Sequence, residues 1–576
     1  MRKIALITTV VLLVCSCRTA PVGPEPEGPV TATPEAPSFE SNVFESAVAP
    51  LGASRIDQLV FPKLTKLGIK PVLCSDAVFV RRVYLDVIGT LPTAQEAREF
   101  ILDPDTKNKR RRLIEQLLAR DEYADYWAMK WGDILRIKAE FPVNLWPNAA
   151  QAYHRWVRAS ITENKPYDQF VRELLTSSGS NFRVGPVNFY RAIQGRTPEG
   201  ITAAVALTFM GARVEAWPKE RVAGMAAFFS QVGYKPTREW KEEHVYWNPV
   251  GSLVPVTNSL PGVNASNAAV VVTLQSTNPV PRKGVFPDGK KMRLPENTDP
   301  REVFTDWLIQ PKNPWFARNI VNRQWAWLMG RGIIEEPDDI RDDNPPSNPK
   351  LLAYLEQELV ANHYDLKPIY RLILNSETYQ LSSMPRANSP QAEANFASYK
   401  LRRLDAEVLI DAINKITGAS DLYTSAIPEP FTYIPADKPA IALPDGSISS
   451  LFLALFGRSA RATGLERERD NRLVPPQSRH LLISSHIQKK IEQGPNLKAL
   501  FKSNRKQGEM FDELFLTILS RFPTAAEVQA AGDYTGSMTN SAPVGKPKSW
   551  DVKRNENWWM DVTWSLINST EFLYRH

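Results

Sequence analysis

Three cysteines in 576 residues, Cys15, Cys17 and Cys74, are too few for a disulfide framework and exclude a cysteine-rich metal centre. The six histidines are scattered and form no His-x-x-x-His or Cys-x-x-Cys-His pattern. There is no Gly-x-Ser-x-Gly, no glycine-rich phosphate loop and no His-Glu-x-x-His. The usual signatures of serine hydrolases, nucleotide enzymes and zinc proteases are therefore absent. No apolar run reaches the roughly 20 residues that a spanning helix needs. Charge of one sign is also scarce. The net charge of +7 falls by two, to +5, when Arg2 and Lys3 are removed with residues 1–16, which is too mild to argue for nucleic acid.

What is present begins with an address. Arg2 and Lys3 precede an apolar run from Ile4 to Val14, the pattern of a secretory signal. Val14-Cys15-Ser16-Cys17 then places a small residue directly before a cysteine. It resembles the bacterial lipoprotein signal, in which that cysteine is acylated and becomes the new N-terminus. Cys17 fits better than Cys15, because Val14 is too large for the position before cleavage. The plainer alternative is an ordinary signal peptide with two incidental cysteines. Arg18 follows in place of an aspartate, which by the same resemblance implies a lipid anchor in the bacterial outer membrane, periplasmic or surface-facing. From Arg18 to about Pro50 the chain is rich in Pro, Glu, Thr and Ala without apolar periodicity, and reads as a tether.

Beyond the tether, 43% hydrophobic and 23% charged residues are ordinary globular composition. The 46 prolines predict many short elements. The expected fold is mainly α, with two helical halves joined by a Pro/Asn-rich, loop-rich middle that carries a small β element. The expected organisation is a signal peptide over 1–16, a lipidated cysteine and tether over 17–52, a helical domain over 53–233, a linker over 234–298, and a second helical domain over 299–576. Helical spacing marks Lys109 to Lys138, Asn313 to Gly330, Pro349 to Val360 and Asp405 to Thr417. Ala268 to Leu274 is the one convincing strand-like run.

Two short patterns recur. Tyr84 to Glu96 parallels Phe515 to Glu527, and both copies hold Thr-x-x-Glu directly after proline, the signature of a capped helix start. Leu566 to Phe572 is echoed by Ile373 to Tyr379 and more weakly by Leu117 to Tyr123, each an apolar helix end, a polar break and an aromatic. These aromatics are expected to lock helix ends into the core.

Several stretches carry a family resemblance. They are Arg81 to Gly89 with Leu91-Pro92-Thr93, Lys165 to Val171, Asn313 to Asn319 through Asn322-Arg323, Gly330 to Ile333, Asp342 to Pro349, Arg403 to Glu407, and Phe456-Gly457-Arg458. On these, about Asp76 to Phe229 resembles the domain of unknown function 1549, and Asp299 onward resembles the domain of unknown function 1553. The two are paired in secreted proteins named for planctomycete cytochrome c association. The resemblance implies architecture and location but no reaction. It also exposes two departures. Family members usually carry Cys-x-x-Cys-His late in the first domain, where Phe209 to Pro218 here has neither cysteine nor histidine. A second-half Cys-x-Cys is replaced by Leu465 and Arg467. The two lost pairs are expected to form one linked site in other members, and no haem or other cofactor is expected here.

The densest polar stretch, Glu335 to Asn344, offers Asp338, Asp339, Arg341 and Asp342 as an ion or ligand loop; the plainer reading is an acidic loop that caps the Pro349 helix and pairs with arginines. Arg458, Arg461, Glu466 and Arg469, with Glu468, offer an anion site or else an internal salt-bridge network. Arg81, Arg82 and Asp86 read as pairing along one helix. His480 and His486 have a spacing poorly suited to joint ligation. Trp146, Trp217 and Trp247 are candidates for stacking on sugars, although core packing is the commoner fate. The expected function is a cell-envelope lipoprotein acting as scaffold or binding module, with the membrane and an envelope protein as partners. A hydrolase of extracellular polysaccharide is the alternative, and an electron-transfer accessory is a distant third.

Overall fold

The computed structural model describes residues 42–250, 280–435, 437–534 and 556–576. The expected signal segment, Cys17 and the strand-like run at 268–274 lie outside them. The described chain is 52% helix and 6% strand, the mainly α fold that the periodicities predict.

Most of the expected helices form with the stops and starts written in the sequence. Phe316–Met329 ends on Gly330 at φ 77°, and Ala406–Thr417 ends on Gly418 at φ 73°, both left-handed. Pro349–Ala361 begins after Asn348, whose side chain accepts the Leu351 N–H. The stretch from Lys109 is instead two helices, Lys109–Leu118 and Asp121–Ile134. Arg120 takes an extended conformation between them, with its guanidinium held by Glu96 at 2.9 Å and by Glu122 at 2.5 Å.

Both repeats have a structural meaning. Thr93 and Thr524 each cap a helix in a reciprocal box with Glu96 and Glu527. Gly89 and Ser520, at matching positions, both sit in the left-handed region, at φ 63° and 59°. The copies pack on each other: Leu516 buries against Ala94 and Ala97. In the second repeat, Ser376 and Ser569 accept the N–H groups of Tyr379 and Phe572, both at 3.2 Å. Both aromatics are fully buried. Arg82 then donates to the Tyr379 carbonyl at 2.6 Å and Arg81 to the Phe572 carbonyl at 2.8 Å. These two arginines therefore do not pair along their helix with Asp86. They are buried, and reach backbone oxygens from distant parts of the chain.

The two sequence halves share one core. A single buried cluster runs from Ile56 to Leu573. Its seam is aromatic: Trp127 meets Tyr370 at 4.6 Å and Trp327 at 5.3 Å, and Tyr167 stacks on Phe316 at 4.8 Å. The start of the middle pairs with the first half in a small antiparallel sheet, in the order Gly179–Ser180, Glu243–Trp247, Val232–Pro236. A second hairpin pairs Lys283–Val285 with Lys291–Arg293. A third, two-residue pairing joins Arg402–Arg403 to Tyr574–Arg575.

The repeat makes a reciprocal prediction. A Cβ on Gly89 would lie 2.4 Å from the Tyr126 ring, so Gly89→Ser should lower stability by about 1–3 kcal/mol in urea unfolding. Ser520→Gly relieves a left-handed residue and removes a buried hydroxyl without a partner, and should leave stability within about 1 kcal/mol.

Candidate functional site

The most concentrated chemistry in the described chain is a buried ion network across the junction of the two halves. The first half provides Asp86 near the end of Asp76–Val87, and Lys130 and Asp133 one turn apart on Asp121–Ile134. The second half provides Asp405 and Glu407 at the start of Ala406–Thr417, then Arg458, Arg461 and Arg469 from the loops that follow Leu451–Leu455, and Arg575 from the last strand.

Asp133 accepts from Arg461 Nε at 3.0 Å through one oxygen and from Arg469 Nη2 at 2.7 Å through the other. Arg469 continues to Glu407 in a two-point contact at 2.6 and 3.1 Å, and Arg458 Nε reaches the same carboxylate at 3.2 Å. Asp405 accepts from Lys130 at 3.0 Å, Arg575 at 2.8 Å and Asn471 at 2.8 Å. Arg575 extends the chain to Asp86 at 2.9 Å, where the Tyr379 and Tyr399 hydroxyls also donate at 2.9 and 2.8 Å. Asp405 occupies an N-cap position without capping its helix. The carboxylate is instead committed to cations from both halves.

The sequence prepares room for these cations. A Cβ on Gly132 would lie 2.9 Å from Arg461 Cζ, and one on Gly446 would lie 2.8 Å from its Cδ. The fully buried guanidinium threads between two glycines. Burial alone would raise the Asp405 and Glu407 carboxyls, but the cations overcome it. Lys130, Arg575 and Arg469 hold Asp405 well below its usual range, and Arg469 and Arg458 bring Glu407 down to about 2.

The acidic loop lies against this network. Asp338 is buried, pairs with Arg323 at 2.6 Å and accepts the Glu466 N–H at 2.7 Å. Asp339 pairs with Arg341 at 3.3 Å, Arg341 also approaches Asp343, and Asp342 is exposed. The four sequence candidates thus do not converge on one point: Asp338 turns to Arg323, Asp339 and Arg341 pair with each other, and Asp342 is exposed. Among the described residues no group of three His, Cys, Asp or Glu side chains is placed to hold a metal. The loop pairs with arginines as the plainer reading expects, but Asn348 caps the Pro349 helix. Of the charged run, Arg458, Arg461 and Arg469 enter the network, whereas Glu468 folds back onto the Ala462 and Thr463 amides. Glu466 is half-buried, and burial followed by the Asp338 charge raises its carboxyl, which Lys130 partly offsets.

The two departures from the family pattern meet at this loop. Arg213 pairs with Glu336 at 2.6 Å, Arg467 approaches the same carboxylate at 3.9 Å, and the Ile340 N–H donates to the Gly211 carbonyl. Just before Gly211 the chain makes a π-helical turn over Ala206–Met210, whose Thr208 carbonyl accepts from Asn319 and Arg323.

Sequence spacing missed one pairing. The helix breaks at Ser484, so His480 in the last turn of Pro475–Ile483 and His486 in the first turn of Ser485–Gln493 come together, with ring nitrogens 3.3 Å apart. Ser484-Ser485 is the available signal, since Ser484 caps the second helix. Of the tryptophans, Trp146 packs on Phe431, Trp217 lies under Arg221, and Trp247 donates to Gln231; all three are half-buried.

This architecture defines a helical protein whose halves are joined by a buried ionic core. Residues 55–230 match the family PSCyt2, a protein of unknown function (DUF1549), and residues 300–535 match PSD1, a protein of unknown function (DUF1553). The chain belongs to the family that pairs these two planctomycete cytochrome c-associated domains. No curated protein and no solved structure matches it.

Removing Asp133 strands two buried guanidinium groups, so Asp133→Ala should cost about 3–5 kcal/mol. Glu407 titrates below its unfolded value of 4.5, so its contribution is present above that value and lost as pH falls toward 2. Urea unfolding between pH 6 and 3 should show stability falling on acidification, with a shallower slope in Glu407→Gln.

Proposed function

We propose that this chain is an envelope-tethered scaffold or binding module. The observation that carries the reading is that the buried charges of the two most charged stretches are neutralised internally, while Asp342 and Arg467 face solvent. Asp338 answers Arg323, Asp133 answers Arg461 and Arg469, and Glu407 answers Arg458 and Arg469. A glycoside hydrolase needs two carboxylates facing each other across a groove that admits substrate. Asp338 and Glu466 are neighbours through the Glu466 N–H, but Asp338 is buried in its ion pair.

A surface suited to contact supports the same reading. Leu473, Val474, Leu482 and Ile483 line an open concavity of about 570 Å³, and Ile483 is 68% exposed. Exposed apolar area of this kind is typical of contact surfaces. No helix among the described residues is long and apolar enough to cross a membrane. In this reading Cys17 carries the anchorage, and the tether ends before Phe44, because the Ser46 N–H donates to the Leu73 carbonyl at 2.9 Å and the Phe44 carbonyl accepts the Ser75 N–H at 3.1 Å.

The test is purification of the lipidated chain from solubilised envelope, beside a Cys17→Ser variant. The reading predicts acylation at Cys17, membrane fractionation that Cys17→Ser loses, and a stable stoichiometric envelope partner. A chain that purifies alone and depolymerises envelope polysaccharide would instead establish the hydrolase.

A further inference from the structure

The histidine pair lies apart from the ion network and has a chemistry of its own. His480 Nε2 and His486 Nδ1 are 3.3 Å apart. Two imidazole nitrogens bound to one tetrahedral zinc, each at about 2.0–2.1 Å, are separated by about 3.3 Å. The other ring nitrogen of His486 lies 2.8 Å from Asp421 Oδ1. A carboxylate there makes Nε2 the proton-bearing nitrogen and leaves the Nδ1 lone pair directed at His480. This is the arrangement in which a carboxylate orients a metal-binding histidine.

The supporting groups are fixed. Asp421 is largely buried, with its Oδ2 unpartnered, and Lys490 lies 3.5 Å from its Oδ1. Lys490 is itself anchored on Asn414 Oδ1 at 2.8 Å and on the Ser420 carbonyl at 2.7 Å. The Phe452 ring meets both imidazoles edge-on at 5.7 and 6.0 Å, and Phe456 meets His480 at 6.1 Å. The His486 side chain retains 32% exposure, so solvent reaches the pair.

We propose that His480 and His486 are the protein ligands of an open site for zinc or another divalent cation that favours imidazole. The hydrogen bond between the rings is the metal-free state. On binding, His480 adopts the tautomer that frees Nε2, and the cation takes its place between the two nitrogens. The protein supplies two ligands, and the remaining positions are open to water or an outside donor.

The experiment uses the untagged full chain, stripped with chelator and titrated with Zn²⁺ against a chromophoric competitor. One equivalent should bind. Affinity should fall at least tenfold in His480→Gln and in His486→Gln, and about tenfold in Asp421→Asn. To separate lost binding from lost stability, each variant is also melted with and without zinc. Zinc should raise the melting temperature of the wild type and leave both histidine variants unmoved. Absence of stoichiometric binding, or binding and a zinc-dependent melting shift that persist in His480→Gln, would overturn the site and leave the pair as a simple hydrogen bond.

Discussion

The buried exchange of charge between Asp133, Glu407 and Asp405 on one side, and Arg461, Arg469, Arg458, Lys130 and Arg575 on the other, constrains the rest of this molecule. Charges withdrawn from water are costly unless each is met by an opposite charge or a well-placed dipole. No half of this chain can meet that condition alone. Lys130 and Asp133 precede the linker, and their partners Asp405, Arg461 and Arg469 come 275 to 336 residues later in the chain. Separating the halves would strand buried ions on both faces, so the network links the position of one half to that of the other.

Several otherwise unrelated features follow from this condition. Gly132 and Gly446 lack side chains where Arg461 passes. The backbone carbonyls of Met129 and Ile137 face the same guanidinium at 3.4 Å. The last strand is short, yet it places Arg575 between Asp86 and Asp405. Arg81 and Arg82 repeat the principle nearby with carbonyl oxygens in place of carboxylates. The cations here act as internal fasteners.

Much of the fold was legible because its signals are local. Thr-x-x-Glu after proline marks a helix start, Gly330 and Gly418 mark stops, and both repeats can be read as text. The site was less legible because its logic is long-range. Arg458, Arg461 and Arg469 are recognisable as a charged run, but nothing near them in sequence names Asp133 as the partner. The i, i+4 pairing read for Arg82 and Asp86 failed for the same reason: it presumes a solvated helix face, and this face is buried. The contact between His480 and His486 was not legible from their spacing, because it depends on the chain breaking and recapping at Ser484.

The central claim, that one ionic core makes the two family domains a single cooperative unit, is tested most directly by equilibrium unfolding of the whole chain. Urea titration is followed by far-ultraviolet circular dichroism, which reads helices throughout, and by tryptophan fluorescence, which reads all 15 tryptophans, Trp127 and Trp327 of the seam among them. The account predicts coincident single transitions by both probes, and a common shift of both to lower urea in Arg469→Met. Two separated transitions, with Arg469→Met moving only the one assigned to the second domain, would contradict it.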